Sequence, residues 1–354
     1  MKAKNRKTID NLITYGLVIA AFVACQVLAA NGGMSRSLKG QLVPICVYIV
    51  MAVSLNLVVG VSGELSLGHA GFMSVGAFSG VIASAWFVGA FSLENEIVRL
   101  LLSMIVGGVF AGIAGVLIGI PVLRLRGDYL AIVTLAFGEI IRNLINCVYI
   151  NLDGGALYFG FNNPNLPGKA VLAGPKGTVG VDKIATFTMG FVLILFTLFV
   201  VLNLMNSRSG RAIMATRDSR IAAESVGINA TKYKMMAFVT SAVLAGMAGA
   251  LYGLNYSTVA AAKFKFDTSI LVLVFVVLGG IGNIRGSIIA ATLLTILPEM
   301  LRAFSDYRML VYAVVLILVM LATNSPFITV RLQSLKAMLK RKRPTGGRKE
   351  GEAA

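Results

Sequence analysis

Charged side chains are scarce in this sequence. Only 13% of the 354 residues are Asp, Glu, Lys or Arg, whereas 57% are hydrophobic. A soluble chain of this length carries about 25% charged residues. The missing charge argues against an ordinary water-soluble protein and indicates a chain that lies largely in apolar surroundings.

The few cysteines and the single histidine give little basis for metal or disulfide chemistry. Cys25, Cys46 and Cys147 all lie in apolar runs without CxxC spacing, so neither a disulfide framework nor a zinc site is expected. His69 has no HxxxH or HExxH companion, which argues against a membrane metalloenzyme. The phosphate-binding pattern G-x-x-x-x-G-K-[ST] is absent as well, so the chain is not expected to hydrolyse ATP or to bind a cofactor itself.

What the sequence does have is a series of long apolar blocks, and blocks of roughly 20 residues match the hydrocarbon core of a bilayer. We therefore predict an all-α polytopic membrane protein with about ten transmembrane helices. One block is short for a crossing, and a re-entrant segment is its alternative. The predicted spans are 11–30, 41–60, 66–90, 98–120, 129–150, 184–205, 235–256, 268–281 (the short block), 287–305 and 308–325.

The distribution of basic residues predicts the orientation of these spans. The net charge is +17, and Lys and Arg concentrate at the two ends of the chain and in the loop 206–234. Such segments favour the cytoplasmic side of a membrane, so both termini are predicted to be cytoplasmic. Basic and aromatic residues do not interleave, which argues against nucleic acid as a partner. The resulting division is a basic N-terminus at 1–10, a transmembrane domain at 11–325 and a basic tail at 326–354.

Two connections are long enough to do more than join helices. The outer loop 151–183 is rich in Gly, Pro and Asn, which favours an ordered irregular loop over a helix. The cytoplasmic loop 206–234 predicts a short helix of two to three turns, with Asp218 or Ser219 as its N-cap and Gly227 as its stop. One face would carry Ile221, Ala222 and Ser225, rimmed by Arg217, Arg220 and Glu224. We interpret it as a docking helix, with a connector lying on the bilayer as the alternative.

The stretch GELSLGHAGFMSVGAF, residues 63–78, interrupts the apolar pattern at the cytoplasmic end of two spans. It predicts a broken helix in which Gly63 and Gly68 free the backbone and Ser66 and His69 satisfy it. Backbone of this kind is tolerated at membrane depth where it is buried or faces a cavity. His69 is then a packing or hydrogen-bonding residue, or alternatively part of a gate.

A second glycine-rich stretch, LGGIGNIRG, also lies at a cytoplasmic end. Paired glycine-interrupted spans are typical of a translocation path, although the two stretches give only weak evidence of an internal repeat. The candidate residues for a path or gate in the two stretches are Gly63, Glu64, Gly68, His69, Gly279, Gly280 and Gly282.

Glu139 and Arg142 are the remaining candidates for this path, because they share a helix face near the predicted midplane of a span. Charges at that depth cost about 2.5–3.5 kcal/mol each on insertion scales, so they rarely face lipid. The pair either packs between helices or lines a cavity for a zwitterionic substrate. Glycines four residues apart, such as Gly76 and Gly80, predict close packing between helices of the same chain.

Four motifs in order resemble the branched-chain amino acid ABC transporter permease family, specifically its LivM-type subunit. The resemblance covers about residues 40–325. Along the chain, the motifs are GELSLGHAGFMSVGAF, RLRGDYLAIVTLAFGEIIRNL, RAIMATRDSRIAAESVGI and LGGIGNIRGSIIAA. The third is similar to the ATPase-coupling loop of ABC importers, and this resemblance assigns coupling to Arg217, Asp218, Arg220, Ala222, Ala223, Glu224, Gly227 and Ile228.

The resemblance implies a permease subunit of an ATP-driven importer in the bacterial inner membrane. Its implied partners are a second homologous permease, two cytoplasmic ABC ATPases that bind ATP and Mg, and an external substrate-binding protein. A sugar or nucleoside permease of the same superfamily is the alternative. An ion-coupled secondary transporter is less favoured, because Glu139 is the one carboxylate that lies clearly at depth.

Overall fold

The computed structural model describes residues 2–31, 35–123, 125, 128–301 and 307–324. Within these residues the chain forms twelve α-helices and a small sheet. A first unit comprises residues 1–299, and a second unit, which begins at Met300, contains the last helix. The helices are α1 Lys2–Ala30, α2 Arg36–Asn56, α3 His69–Phe91, α4 Glu96–Val122, α5 Asp128–Cys147, α6 Phe187–Asn206, α7 Arg208–Asp218, α8 Arg220–Ser225, α9 Ala230–Gly253, α10 Phe266–Gly279, α11 Ile284–Met300 and α12 Arg308–Asn324.

Seven helical segments in the described residues are long and apolar enough to cross a membrane, and they correspond to the first seven predicted spans. The prediction at 268–281 corresponds to α10, which has 14 residues and therefore rises only about 21 Å. The last two predicted spans correspond to α11 and α12, with 17 residues each. Residues 302–306 and the predicted tail 326–354 lie outside the described residues.

The centre of the first unit is built on α2 and α9. The segment Arg36–Ser62 is the most deeply buried of the seven, with 94% of its apolar window inside the protein. Helix α9 packs along α3 and α4 and also contacts α2. In contrast, α1 and α5 leave most of their apolar residues uncovered, since only 11% of the apolar window of α1 and 17% of that of α5 are buried. These two helices therefore present surfaces suited to lipid or to another protein.

Small residues permit the close approach of α3 and α4 to α9. A Cβ atom at Gly76 would lie 2.0 Å from the carbonyl oxygen of Gly246, and one at Gly80 would lie 2.5 Å from the Cβ of Ala250. From α4, Gly112 meets Val243 of α9. The prediction that these glycines serve packing within the chain is confirmed.

The predicted irregular outer loop contains a three-stranded antiparallel sheet in the order β2–β1–β3, so the all-α prediction misses this element. The strands are β1 Val148–Asp153, β2 Ala156–Phe161 and β3 Lys169–Ala173. Gly154 and Gly155 both have positive φ and join β1 to β2, as a two-residue hairpin turn requires. This Gly-Gly pair between two β-forming runs was the sequence signal for the sheet.

Replacing Gly76 by Ala should destabilise the protein by about 1–3 kcal/mol, because its methyl group would overlap a backbone oxygen that cannot rotate away. The matched control is Gly40→Ala on α2, where an added Cβ meets nothing within 4 Å. Thermal unfolding of the detergent-purified variants measures both. Equal midpoints for the two variants would contradict the packing described here.

Candidate functional site

The connection between α6 and α9 contains the two short helices α7 and α8. Ser207 caps α7 by accepting a hydrogen bond from the Gly210 amide at 3.0 Å. Ser219 has an extended backbone and caps α8 by accepting from the Ala222 amide at 3.3 Å. Of the two N-caps that the sequence allowed, Ser219 is the one used.

Helix α8 is shorter than the predicted two to three turns. It spans six residues, Arg220–Ser225, because the backbone is non-helical at Ser219 and again at Val226. Gly227 has φ of +83°, and its amide closes the end of the helix on the Glu224 carbonyl at 3.0 Å. The predicted stop is therefore correct, and the six residues of the helix make about 1.7 turns.

The outer face of α8 is apolar at its centre and charged at its edge. Ile221 is 83% exposed and Val226 is 73% exposed, whereas Ala223 is buried against the protein. Arg220 and Glu224 form an i,i+4 ion pair at 2.8 Å. Beside the helix lies an open cavity of about 340 Å³, lined by Glu224, Gly227, Ile228, Asn229 and Ala230. Sequence reasoning missed Val226, which lies beyond the predicted face because the helix has already ended there.

The predicted broken segment begins as a π-helix. Helix α2 continues into a π-helical turn, Leu57–Ser62, called the π turn below. Gly63 ends it in the left-handed conformation with φ of +75°. Residues from Glu64 to Gly68 are then non-helical until α3 begins at His69.

Hydroxyl groups from other helices satisfy the backbone of this segment. The Leu67 amide donates to Thr134 Oγ1 of α5 at 3.1 Å, and the Ala70 amide donates to Ser269 Oγ of α10 at 3.0 Å. The prediction that Ser66 and His69 perform this task is wrong, since Ser66 Oγ is buried without a partner. Gly68 also makes room for Thr134, because a Cβ there would lie 2.1 Å from the Thr134 carbonyl oxygen.

His69 lies at the start of α3 and is 1% exposed. Its Nε2 is 2.9 Å from Ser54 Oγ of α2, and the Ser54 carbonyl accepts from Ser241 Oγ of α9 at 2.6 Å. The imidazole therefore lies in a polar contact between three helices. The burial of His69 and its contact with Ser54 fit the predicted role of a packing or hydrogen-bonding residue.

The second glycine-rich stretch forms the tight turn between α10 and α11. Gly280 and Gly282 have φ of +90° and +82°. Gly279 lies so close to Gly286 that a Cβ on either would overlap the backbone of the other. The turn is therefore built from backbone packed directly on backbone.

Asn56 joins the two glycine-rich segments. Its Oδ1 accepts from the Gly282 amide at 2.8 Å, and its Nδ2 donates to Ser287 Oγ at 2.8 Å. Gly60 lies directly against this contact, since a Cβ there would be 2.4 Å from the Gly282 nitrogen. The structure thus brings together the two stretches that the sequence singled out.

Two basic residues, Arg217 in α7 and Lys234 in α9, also reach the broken segment. Arg217 Nη1 donates to the Gly60 carbonyl at 2.8 Å, and Lys234 of α9 forms an ion pair with Glu64. Both side chains of the ion pair are 14% exposed. Arg217, a predicted coupling residue, also packs against Gly63, a predicted gate residue, since a Cβ on Gly63 would lie 2.5 Å from Arg217 Cγ. Sequence spacing could not indicate this contact.

The Glu139–Arg142 pair forms as predicted on α5, with Arg142 Nε donating to Glu139 Oε2 at 2.7 Å. It is not sealed within this chain, because the two side chains are 33% and 22% exposed. The same helix contacts the broken segment through Thr134 and Gly138. The pair lies on one of the least covered helices of the protein.

A charged cavity that the sequence did not indicate opens between the end of α3, the start of α4 and residues 182–184. It has a volume of about 530 Å³, and its lining includes Glu94, Glu96 and Lys183. Arg99 is 6% exposed within it and pairs with Asp182 at 3.4 Å. Within the described ranges, no group of three or more His, Cys, Asp or Glu residues could hold a metal ion.

Asn56→Ala should lower the free energy of unfolding by about 1–3 kcal/mol, because it leaves the part-buried Gly282 amide without its acceptor and the buried Ser287 hydroxyl without its amide donor. The control is Asn163→Ala, whose side chain accepts only a local, exposed bond from Asn165. Thermal unfolding in detergent compares them. A midpoint for Asn56→Ala that matches the control would show that the two glycine segments do not depend on this contact.

Known proteins resemble this chain over most of its length. The family described as branched-chain amino acid transport system, permease component, matches residues 37–320. The high-affinity branched-chain amino acid transport system permease protein LivM of Salmonella typhimurium is 35% identical over 295 residues, which are 78% of this chain and 66% of that protein. LivM of Escherichia coli K12 matches to the same extent.

A more distant relative is the ribose import permease protein RbsC of Escherichia coli K12. It is 27% identical over 319 residues, which cover 87% of this chain and 91% of RbsC. No solved structure matches the chain significantly. The chain spans just under two thirds of the length of the LivM relatives. It is a multi-pass membrane protein, and it belongs to the family of permease components of branched-chain amino acid transport systems, of the LivM type.

Proposed function

We propose that this chain is a transmembrane subunit of an ATP-driven importer that moves branched-chain or related amino acids across the bacterial inner membrane. The observation that carries the proposal is the short capped helix α8, which, with the residue that follows it, exposes Ile221 and Val226 to solvent. Exposed apolar side chains with a charged rim are typical of a protein-docking surface. Family membership supports the transport role.

The proposed topology has ten spans with both termini in the cytoplasm, following the basic residues. It assigns α10, α11 and α12 to the last three spans. The short α10 then crosses together with the residues that flank it, a 3-10 turn at Ala261–Phe264 before it and the glycine-rich turn after it. In this orientation α7 and α8 face the cytoplasm and the sheet β1–β3 faces outward.

The proposed partners divide the work of transport. Two cytoplasmic ABC ATPases bind ATP and Mg and hydrolyse the nucleotide, and α8 docks in a groove of one of them. A second homologous permease completes the path, and an external binding protein delivers the substrate. The uncovered surface of α5 is available to such a protein neighbour.

The mechanism we propose is alternating access. ATP closes the ATPase dimer, and closure displaces α8 together with the ends of α6 and α9 that flank it. Nucleotide can shift the inward–outward equilibrium only because the closed ATPase dimer binds one conformation more tightly than the other. Hydrolysis and release of products then return the transporter to its starting state.

The substrate class rests on the LivM relatives, and RbsC makes ribose a second candidate because the match covers 91% of that protein. The deciding experiment co-purifies the chain with its neighbouring subunits and binding protein in proteoliposomes. We expect leucine, isoleucine or valine to stimulate ATP hydrolysis and to accumulate inside. Stimulation by ribose but not by these amino acids would contradict the amino acid assignment.

We further propose that Glu139 and Arg142 line the substrate path. Their partial exposure on α5 supports this, since a pair serving only as packing would be covered. Glu139→Gln and Arg142→Gln should each raise the KM for the amino acid roughly ten-fold, because each leaves one charge without its partner. Uptake in proteoliposomes measures this. Unchanged kinetics, or loss of the protein from the membrane, would contradict a path role.

Glu224→Lys and Gly227→Pro should abolish ATP-dependent uptake and co-purification of the ATPase while leaving membrane insertion intact. The first reverses the charge beside the exposed apolar face, and the second cannot adopt the positive φ that ends α8. The control is Asp153→Lys, the same type of charge change at the exposed end of β1. Normal ATPase binding by both variants would contradict docking through α8.

A further inference from the structure

The Gly60 carbonyl, in the π turn, takes a hydrogen bond from outside its own helix. The Val58 carbonyl accepts from both the Gly63 and the Glu64 amides, and the chain then leaves the helix. Carbonyls in the last turn of a helix need partners from elsewhere. Arg217 of α7 supplies one, since its Nη1 donates to the Gly60 carbonyl at 2.8 Å.

The Arg217 side chain is held in place on two sides. Its Cγ lies 2.5 Å from the position that a Cβ on Gly63 would occupy, so it packs directly over the end of the π turn. Its Nε and Nη2 both bind Asp218 Oδ1, at 3.1 and 3.0 Å. The guanidinium therefore connects α7 to the π turn by a fixed contact.

A second connection joins the residue after Gly63 to the start of α9. Glu64, just after the π turn, pairs with Lys234 in the first turns of α9, and both side chains are mostly buried. The π turn is thus attached to each side of α8, through Arg217 before it and Lys234 after it.

On its other side the π turn contacts the α10–α11 turn. Gly60 lies against Gly282, and Asn56 binds both Gly282 and Ser287. A continuous series of contacts therefore runs from α7 through the π turn to α11. Ser62 Oγ and Ser66 Oγ, in and beside the π turn, are buried without partners in this conformation, so a second arrangement could satisfy them.

We propose that Arg217 is a positioning residue that transmits the displacement of α7 and α8 to the π turn, and through it to the α10–α11 turn. The inference rests on the proposed function and adds a specific route to it. Movement of α8 then acts on α2 and α11, which are distant in sequence, as well as on its own flanking helices. π-helical turns occur frequently at functional sites, and the π turn is the two-state element here.

The test uses the assembled transporter in proteoliposomes and measures leucine molecules imported per ATP hydrolysed. Arg217→Ala should lower this ratio roughly ten-fold, within the usual range of coupling between sites, because the ATP that is still hydrolysed no longer displaces the π turn. The matched control is Arg211→Ala on the same helix, because Arg211 donates only to the Asn206 carbonyl within its own segment. A role confined to folding would lower uptake and hydrolysis together and leave their ratio unchanged.

Charge exchange at the second connection provides an independent check. Glu64→Lys and Lys234→Glu should each lower the ratio, and the double variant should restore it. If Arg217→Ala reduces the amount of protein, the Glu64→Lys, Lys234→Glu double variant serves as the test instead. Failure of this double variant to restore the number of leucine molecules imported per ATP then overturns the inference. A wild-type complex that imports no amino acid overturns the proposed function and this inference with it. A working wild type with Arg217→Ala equal to Arg211→Ala overturns this inference alone.

Discussion

Backbone that leaves a helix inside an apolar protein must find hydrogen bonds from other elements, and this requirement organises the centre of the structure. Each buried polar group left unpaired costs about 1–3 kcal/mol. Between the π turn and the start of α3, Thr134, Ser269 and Arg217 meet this need from three different helices. The break in the helix therefore fixes α5, α7 and α10 relative to α2 and α3.

Close backbone packing is the second condition, because such short polar side chains cannot reach far. Gly68 admits the Thr134 carbonyl, and Gly60 admits the Gly282 amide. Both approaches exclude a Cβ atom. Glycine here does more than permit a turn, since it allows the contacts that satisfy the broken segment.

The sequence predicted the features that depend on local composition. Apolar blocks located the helices, Ser219 and Gly227 marked the limits of α8, and the i,i+3 spacing predicted the Glu139–Arg142 pair. Residue spacing along one helix carries this information. The sequence also predicts the two glycine-rich stretches as a pair at one end of the spans.

What the sequence could not predict depends on long-range contact. Arg217 and Gly60 are 157 residues apart, and Asn56 and Gly282 are 226 residues apart, so no local sequence pattern predicts either hydrogen bond. Ser66 and His69 were assigned to the backbone because they are adjacent to it, yet the hydroxyls that do the work come from other helices. The sheet was missed because the loop was interpreted from its overall composition, although the Gly-Gly hairpin signal was local.

If α8 communicates with the membrane interior through the π turn, the geometry of that turn must depend on the nucleotide state of the transporter. The most direct measurement is a pair of structures of the assembled complex, one without nucleotide and one trapped with a non-hydrolysable ATP analogue. The account predicts that the contacts of Arg217 with Gly60 and of Asn56 with Gly282 rearrange as residues 57–62 change register or direction. A π turn and contacts that stay identical while α8 moves and the path opens would contradict it.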